Sequence, residues 1–171
     1  MFVIRPMVAA DVQAVLTIQA DAYVDEVLED EAVILARLIS APDTAWVAQA
    51  EHGVQAYLVS YPSRLGMLTA LGNNFRRATE PDCLYLHDLA VATGASGLGM
   101  GQALINKATR YAEDQGYRYS ALVSVQNSMG FWQRQGYSAV EHLSRQQQTL
   151  LASYTGPAYY MSKNSTLATR V

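Results

Sequence analysis

Short apolar runs alternate along the chain with stretches whose apolar residues recur at helical spacing. Phe2 to Arg5 predicts a strand that Pro6 ends. Asp11 stands near the start of a helix with Val12, Val15, Leu16 and Gln19 on one side, and Leu28, Ala32, Leu35 and Ile39 predict a second helix that Pro42-Asp43 breaks. Thr44–Ala50 and Val54–Tyr61 predict two strands joined by a turn at Glu51-His52-Gly53. The stretch from Pro62 to Asp82 holds Gly66, Gly72, Asn73-Asn74, Arg76-Arg77 and Pro81, and reads as a long loop with room for a short helix. A loop of that length inside a compact domain is more often functional than idle.

Cys83 to Val91 predicts a central strand. Gly99–Gln115 predicts a helix with Leu104, Ala108 and Tyr111 on its buried side and Gly116 as the C-terminal cap. Tyr119–Val125 is a further strand, Asn127 caps a short helix through Gln135 that Gly136 ends, and Tyr137–Glu141 and Ala158–Ser162 complete the set. Helices and strands mix throughout, so the class is α/β or α+β around one sheet.

The composition narrows this picture. The 171 residues are 50% hydrophobic and 16% charged, which fits a single folded domain over residues 1–171. Twelve basic and 15 acidic residues leave a net charge of −3, so bulk charge gives no reason to expect nucleic acid. Cys83 is the only cysteine, so no disulfide within the chain is possible. No leader pattern and no apolar run of membrane-spanning length stand out, and a cytoplasmic protein with no membrane partner and no metal is expected.

The chemistry concentrates between Leu84 and Ala108, where an apolar strand ends in a glycine-rich turn that opens into a helix. Amides at such a turn lack intrahelical partners and can hold phosphate oxygens, and Gly97, Gly99 and Gly101 let an anion approach the backbone. The dinucleotide pattern G-x-G-x-x-G fails in register, because its third glycine falls on Gln102 or Leu104. A P-loop fails too, since no Gly-Lys-Ser/Thr follows.

Ser96-Gly97-Leu98-Gly99-Met100-Gly101, placed just after Leu89-Ala90-Val91, resembles the pyrophosphate loop of the GCN5-related N-acetyltransferases, the GNAT superfamily. That family's pattern is Arg/Gln-x-x-Gly-x-Gly/Ala; here Ser96 or a neighbour stands at the basic or amide position. Gly130-Phe131-Trp132-Gln133-Arg134-Gln135-Gly136-Tyr137 is similar to the family's Phe-Tyr-x-x-x-Gly-Phe signature, with Trp132 at the Tyr place and Tyr137 at the final aromatic.

The resemblance implies a single mixed, mostly antiparallel sheet flanked by helices on both faces. It implies acetyl-CoA or another short acyl-CoA as co-substrate and an amine as acceptor, joined by direct attack. It leaves a homodimer open. The competing expectation is a non-catalytic acyl-CoA-binding module of the same fold. Cofactor contacts are expected from Leu89, Ala90 and Val91, from the loop Ser96, Gly97, Leu98, Gly99, Met100, Gly101 and Gln102, and from Asn127 and Trp132. The backbone of Leu89 would polarise the thioester carbonyl and that of Val91 would bind the pantetheine arm.

Deprotonating a lysine-like amine at pH 7 costs about 4.6 kcal/mol, which a base offsets. His87 is the candidate base. Strand alternation would put Tyr85 and His87 on the face of Leu89 and Val91, with Asp88 pointing away. Trp132 cannot act as the acid that assists the leaving thiolate, so Tyr85 is a candidate for that role, unless the thiolate leaves unaided or catalysis is lost. For the acceptor, Tyr23, Asp25 and Tyr85 are candidate contacts. The acidic stretch Asp21–Glu31 reads either as a lure for a cationic amine or, with more weight, as a solvated helix face.

Overall fold

A computed structural model describes residues 1–165. Seven strands form one sheet: β1 (Phe2–Pro6), β2 (Ala45–Ala50), β3 (Gly53–Ser63), β4 (Cys83–Val91), β5 (Tyr119–Ser124), β6 (Ser138–Ala139) and β7 (Tyr159–Asn164). Their order is β1-β2-β3-β4-β5-β7-β6, antiparallel everywhere except between β4 and β5. Five α-helices accompany it: α1 (Val12–Ala22), α2 (Glu31–Ser40), α3 (Met100–Asp114), α4 (Met129–Arg134) and α5 (Arg145–Leu151). The sheet is therefore mixed and mostly antiparallel, with helices on both faces, as the resemblance implies.

Each face has its own core, because alternate strand residues point opposite ways. On one face Val15 and Ile18 of α1 and Ile34 and Leu38 of α2 pack against Val47, Tyr57, Tyr85 and Tyr160. On the other, Leu104, Ile105 and Ala108 of α3 and Trp132 of α4 pack against Trp46, Leu58, Leu86 and Met161. No described helix is long and apolar enough to cross a membrane.

Two irregularities position the site. Val59 pairs with Asp88 and Ser60 with Leu86, so His87 is an extra residue on β4, a β-bulge. The bulge reverses the alternation beyond it. Tyr85 stays in the α1–α2 core, as expected, but Leu89 and Val91 pack into the α3 core, and Asp88 bonds to Tyr57, which belongs to the α1–α2 core. The expectation that His87 shares a face with Leu89 and Val91 and that Asp88 points away is therefore corrected. The second irregularity is a split: the parallel pairing of β4 with β5 stops at Leu86↔Leu122. Beyond it, His87–Val91 and Val123–Val125 separate as the walls of a cleft.

Other expectations shift. Helix α2 begins only at Glu31 and buries Ile34, Arg37 and Leu38, leaving Ala32 exposed and Ile39 80% exposed. Apolar residues lie all round this helix, so spacing alone did not fix its rotation; bringing Arg37 inward to a buried partner did. Strand β6 forms only two ladder pairs within Tyr137–Glu141. Helix α5 falls in a stretch for which no element was expected.

The β3–β4 connection over residues 64–82 contains no helix, yet it is fastened at many points. Gly66 N donates to Tyr160 Oη at 2.8 Å, Leu68 N to Gln147 Oε1 at 2.8 Å and Leu71 N to Ser153 Oγ at 3.2 Å. Thr69 O accepts from Tyr154 Oη at 2.7 Å, and Asn73 O accepts from the Arg37 guanidinium at 2.6 and 2.9 Å. Phe75 stacks on Tyr61 and meets His87 edge-on, with centroids 5.3 Å apart.

Candidate active site

The glycine turn is shaped by conformations that only glycine adopts cheaply. Gly97 has φ 78° and Gly99, at the N-cap of α3, has φ 81°. The turn spends two of its own amides: Ser96 N donates to Thr93 O and Leu98 N to Ala95 O. The amides of Gly97, Gly99, Met100 and Gly101 have no acceptor among the described residues. Four unpaired donors at a helix N-terminus form an anion cradle.

These amides open onto the cleft between β4 and β5, about 640 Å³ in volume. Ser96, Gly97, Gly99, Met100, Gly101 and Gln102 line it together with Leu89, Val91 and Trp132. Ala92 N donates to Gln55 O on β3. Alternation along an antiparallel strand then sends the N–H groups of Leu89 and Val91 away from β3, toward the cleft.

Some expected contacts lie elsewhere. Ala90 is buried in the α1–α2 core and pairs with Tyr57, so it does not reach the cleft. Leu98 projects outward, 61% exposed. Asn127 is exposed, in the left-handed region at φ 58°, and does not line the cleft; Ser128, not Asn127, is the N-cap residue of α4. Asp25 sits exposed in a single 3-10 turn, outside the lining. Tyr85 is fully buried and does not line the cleft; burial pushes its phenol well above the ordinary range, so it is no acid for a departing thiolate.

His87 and Tyr23 line both the cleft and a smaller chamber of about 40 Å³ beside it, walled by Val27, Leu71, Val123 and Tyr154. Around His87 the chain has assembled buried charge. Arg37 grips both carboxylate oxygens of Glu29, and His87 Nε2 lies 3.0 Å from Glu29 Oε1. Gly72 N adds a bond to Glu29 Oε2 at 2.9 Å, and Gln19 brackets the Glu29 backbone. Burial pushes the Glu29 carboxyl up, but the bonds from His87 and Arg37 outweigh it and hold it at about 2.

Asp88 forms a second cluster. Its carboxylate takes the Tyr57 hydroxyl at 2.5 Å and lies 2.8 Å from Tyr23 Oη, which is also 2.7 Å from Leu89 O. One hydroxyl proton cannot serve two acceptors at once. The count balances when Asp88 carries a proton, and burial pushes the Asp88 carboxyl upward against the bonds from Tyr57 and Tyr23.

The acidic stretch is thus put to structural use in part. Asp21 accepts from Thr93 N and Oγ1 at 2.7 and 2.6 Å, tying the end of α1 to the turn before the glycine loop. Glu29, Arg37 and Asp88 were not foreseen as site residues. The one signal for them is a basic residue, Arg37, inside an otherwise apolar helical stretch.

The family profile described as Acetyltransferase (GNAT) family matches residues 12–137. No curated protein sequence is recognisably similar to the chain. Among solved structures, the loading GNATL domain of CurA from Lyngbya majuscula superposes with TM-score 0.75 at 12% identity, covering 96% of this chain and 98% of that one. The GphF GNAT-like decarboxylase in complex with isobutyryl-CoA gives 0.71 at 14%, covering 95% and 98%. The ribosomal-protein-S18-alanine N-acetyltransferase from Escherichia coli gives 0.69 at 13%, covering 99% and 97%. At such identities the superpositions speak for the fold alone, while the profile match spans most of the sequence: the chain belongs to the GNAT acetyltransferase family.

Proposed function

We propose that the protein transfers a short acyl group, acetyl in the first instance, from its coenzyme A thioester to the primary amine of a small molecule or peptide. One observation carries this reading: a cradle of unpaired amides, a free strand edge and a buried histidine meet along a single cleft. The GphF GNAT-like decarboxylase, in complex with isobutyryl-CoA, and the ribosomal-protein-S18-alanine N-acetyltransferase support the two halves of the reaction.

In this scheme the amides of Gly97, Gly99, Met100 and Gly101 hold the diphosphate, and the Val91 edge receives the pantetheine amides in the manner of an added strand. Leu89 N–H donates to the thioester oxygen, where negative charge builds in the transition state. His87 takes the proton as the amine nitrogen bonds to the carbonyl carbon and the carbon–sulfur bond breaks. The thiolate leaves without an acid, as suits a thiol of pKa about 8.5. Trp132 lines the cleft without offering a hydroxyl.

The test is thiol release from acetyl-CoA across an amine panel. Amine-dependent release that falls at least tenfold in His87→Gln, with binding of acetyl-CoA retained, is expected. Carbon dioxide release from a carboxylated acyl-CoA, independent of any amine, would move the assignment to decarboxylation. The second reading, a thioester-binding domain without turnover, is favoured by Trp132 and by the missing basic residue at Ser96. A thermal upshift with acetyl-CoA and no thiol release would establish it.

A further inference from the structure

We propose that Glu29 is a positioning residue for His87: held by Arg37, its carboxylate fixes the imidazole with Nε2–H on Glu29 and Nδ1 as the proton acceptor. This rests on the acyl-transfer reading for its consequence in catalysis, but its geometry stands independently.

Glu29 has no freedom to do otherwise. Arg37 occupies both carboxylate oxygens, Gly72 N takes Oε2, and the side chains of Glu29 and Arg37 are only 5% and 3% exposed. An ionised carboxylate only accepts, so the 3.0 Å contact with His87 Nε2 requires that nitrogen to donate. The His87 side chain is 3% exposed, and its other nitrogen, Nδ1, is buried without a hydrogen-bond partner. A half-turn of the ring would put a carbon where Nε2 stands and lose the bond to Glu29, and Phe75, which meets the ring edge-on, also lies under the Arg37 guanidinium, 5.0 Å from its centroid. A buried nitrogen with a lone pair and no partner, on a residue lining both cleft and chamber, is a place for an incoming proton.

The remaining groups fit that role. Arg37 on α2 faces Glu29 and Asn73; Asp88 on β4 lies beside His87 and is tied to Tyr57 and Tyr23; Tyr85 on β4 and Tyr154 after α5 are phenols. Glu29 is the ionised partner that meets an imidazolium directly. During transfer the amine proton passes to Nδ1, the new nitrogen–carbon bond forms, and the carbon–sulfur bond breaks to release thiolate. The Nε2 proton stays where it is, shared with Glu29 and never given to it.

Glu29→Gln tests the consequence. Its expected effect is a kcat at least tenfold lower with an unchanged KM for acetyl-CoA. Glu29→Asp, which keeps an accepting carboxylate, retains more of the wild-type kcat than Glu29→Gln. A folded Glu29→Gln protein with an unchanged kcat overturns the proposal. Nitrogen-15 NMR of histidine-labelled wild-type protein tests the geometry even if the variant does not fold, with His87 assigned by its loss in His87→Gln. A protonated Nε2 beside an unprotonated Nδ1 is the expected signature, and the reverse tautomer refutes the arrangement. A wild-type protein inert toward every amine counts against the acyl-transfer reading instead, and leaves the NMR result to stand by itself.

Discussion

The two sides of the β4–β5 split recognise by different means. The glycine-loop side is made of main chain: free amides and a strand edge, with side chains that project outward or into the core. The His87 side is made of side chains carried by different elements, Glu29 ahead of α2, Arg37 on α2, His87 and Asp88 on β4, each hydrogen-bonded to another side chain, with His87 Nδ1 left without a partner. Main-chain recognition tolerates almost any change that keeps the backbone path. An interlocked set of buried polar side chains tolerates almost none. The cleft therefore joins a robust half to a brittle one.

The sharpest way to break this contrast is Arg37→Met. It leaves Glu29 buried without its cation, and a loss of about 3–5 kcal/mol in urea unfolding is expected. The double variant Glu29→Gln/Arg37→Met removes both charges and should regain most of that loss. Acid has the same target. Glu29 is held at about 2 against an ordinary 4.5, so its contribution is complete above pH 4.5 and drains away as pH falls toward 2. An acid-unfolding curve should show this for the wild type and lose it in the double variant.

On the main-chain side, Gly99→Ala places a side chain at φ 81°, a strain of about 1–2 kcal/mol. Calorimetry should show acetyl-CoA affinity falling about tenfold, while kcat at saturation holds. Tyr23→Phe, at the border of the two halves, removes the hydroxyl that links Asp88 to Leu89 O. A net hydrogen bond is worth about 1 kcal/mol, so kcat should drop roughly fivefold with binding unchanged. The smallest effect belongs to Ser96→Arg. It adds a cation at the mouth of the cradle, and affinity should rise a few-fold at low salt and fade at high salt.

The same contrast governs what could be read from the sequence. The glycine loop was legible because positive φ selects glycine, and Gly97 and Gly99 are written into the chain. Strand β4 was placed residue for residue, and the glycine-ended helices fell close to their expected bounds. The bulge at His87 was not legible, since Leu-His-Asp carries no mark of one. A period-two rule carried through it assigned Asp88 to the wrong face. Helix α2 was misrotated because its apolar stripes compete, and the choice was made by an ion pair outside the helix's own pattern. Glu29 lay in view within an acidic run, but its role depends on Arg37 and His87, eight and 58 residues away in sequence.

The connection over residues 64–82 is anchored through main-chain atoms: the amides of Gly66, Leu68, Leu71 and Gly72 and the carbonyls of Thr69 and Asn73. Its identity as a surface and its shape as a support are thus separable properties. Descendants of this chain can vary the outward residues Leu65, Asn74 and Arg76 while the histidine beneath keeps its seat. That makes the segment a natural ground for retargeting by substitution, without rebuilding what lies below it.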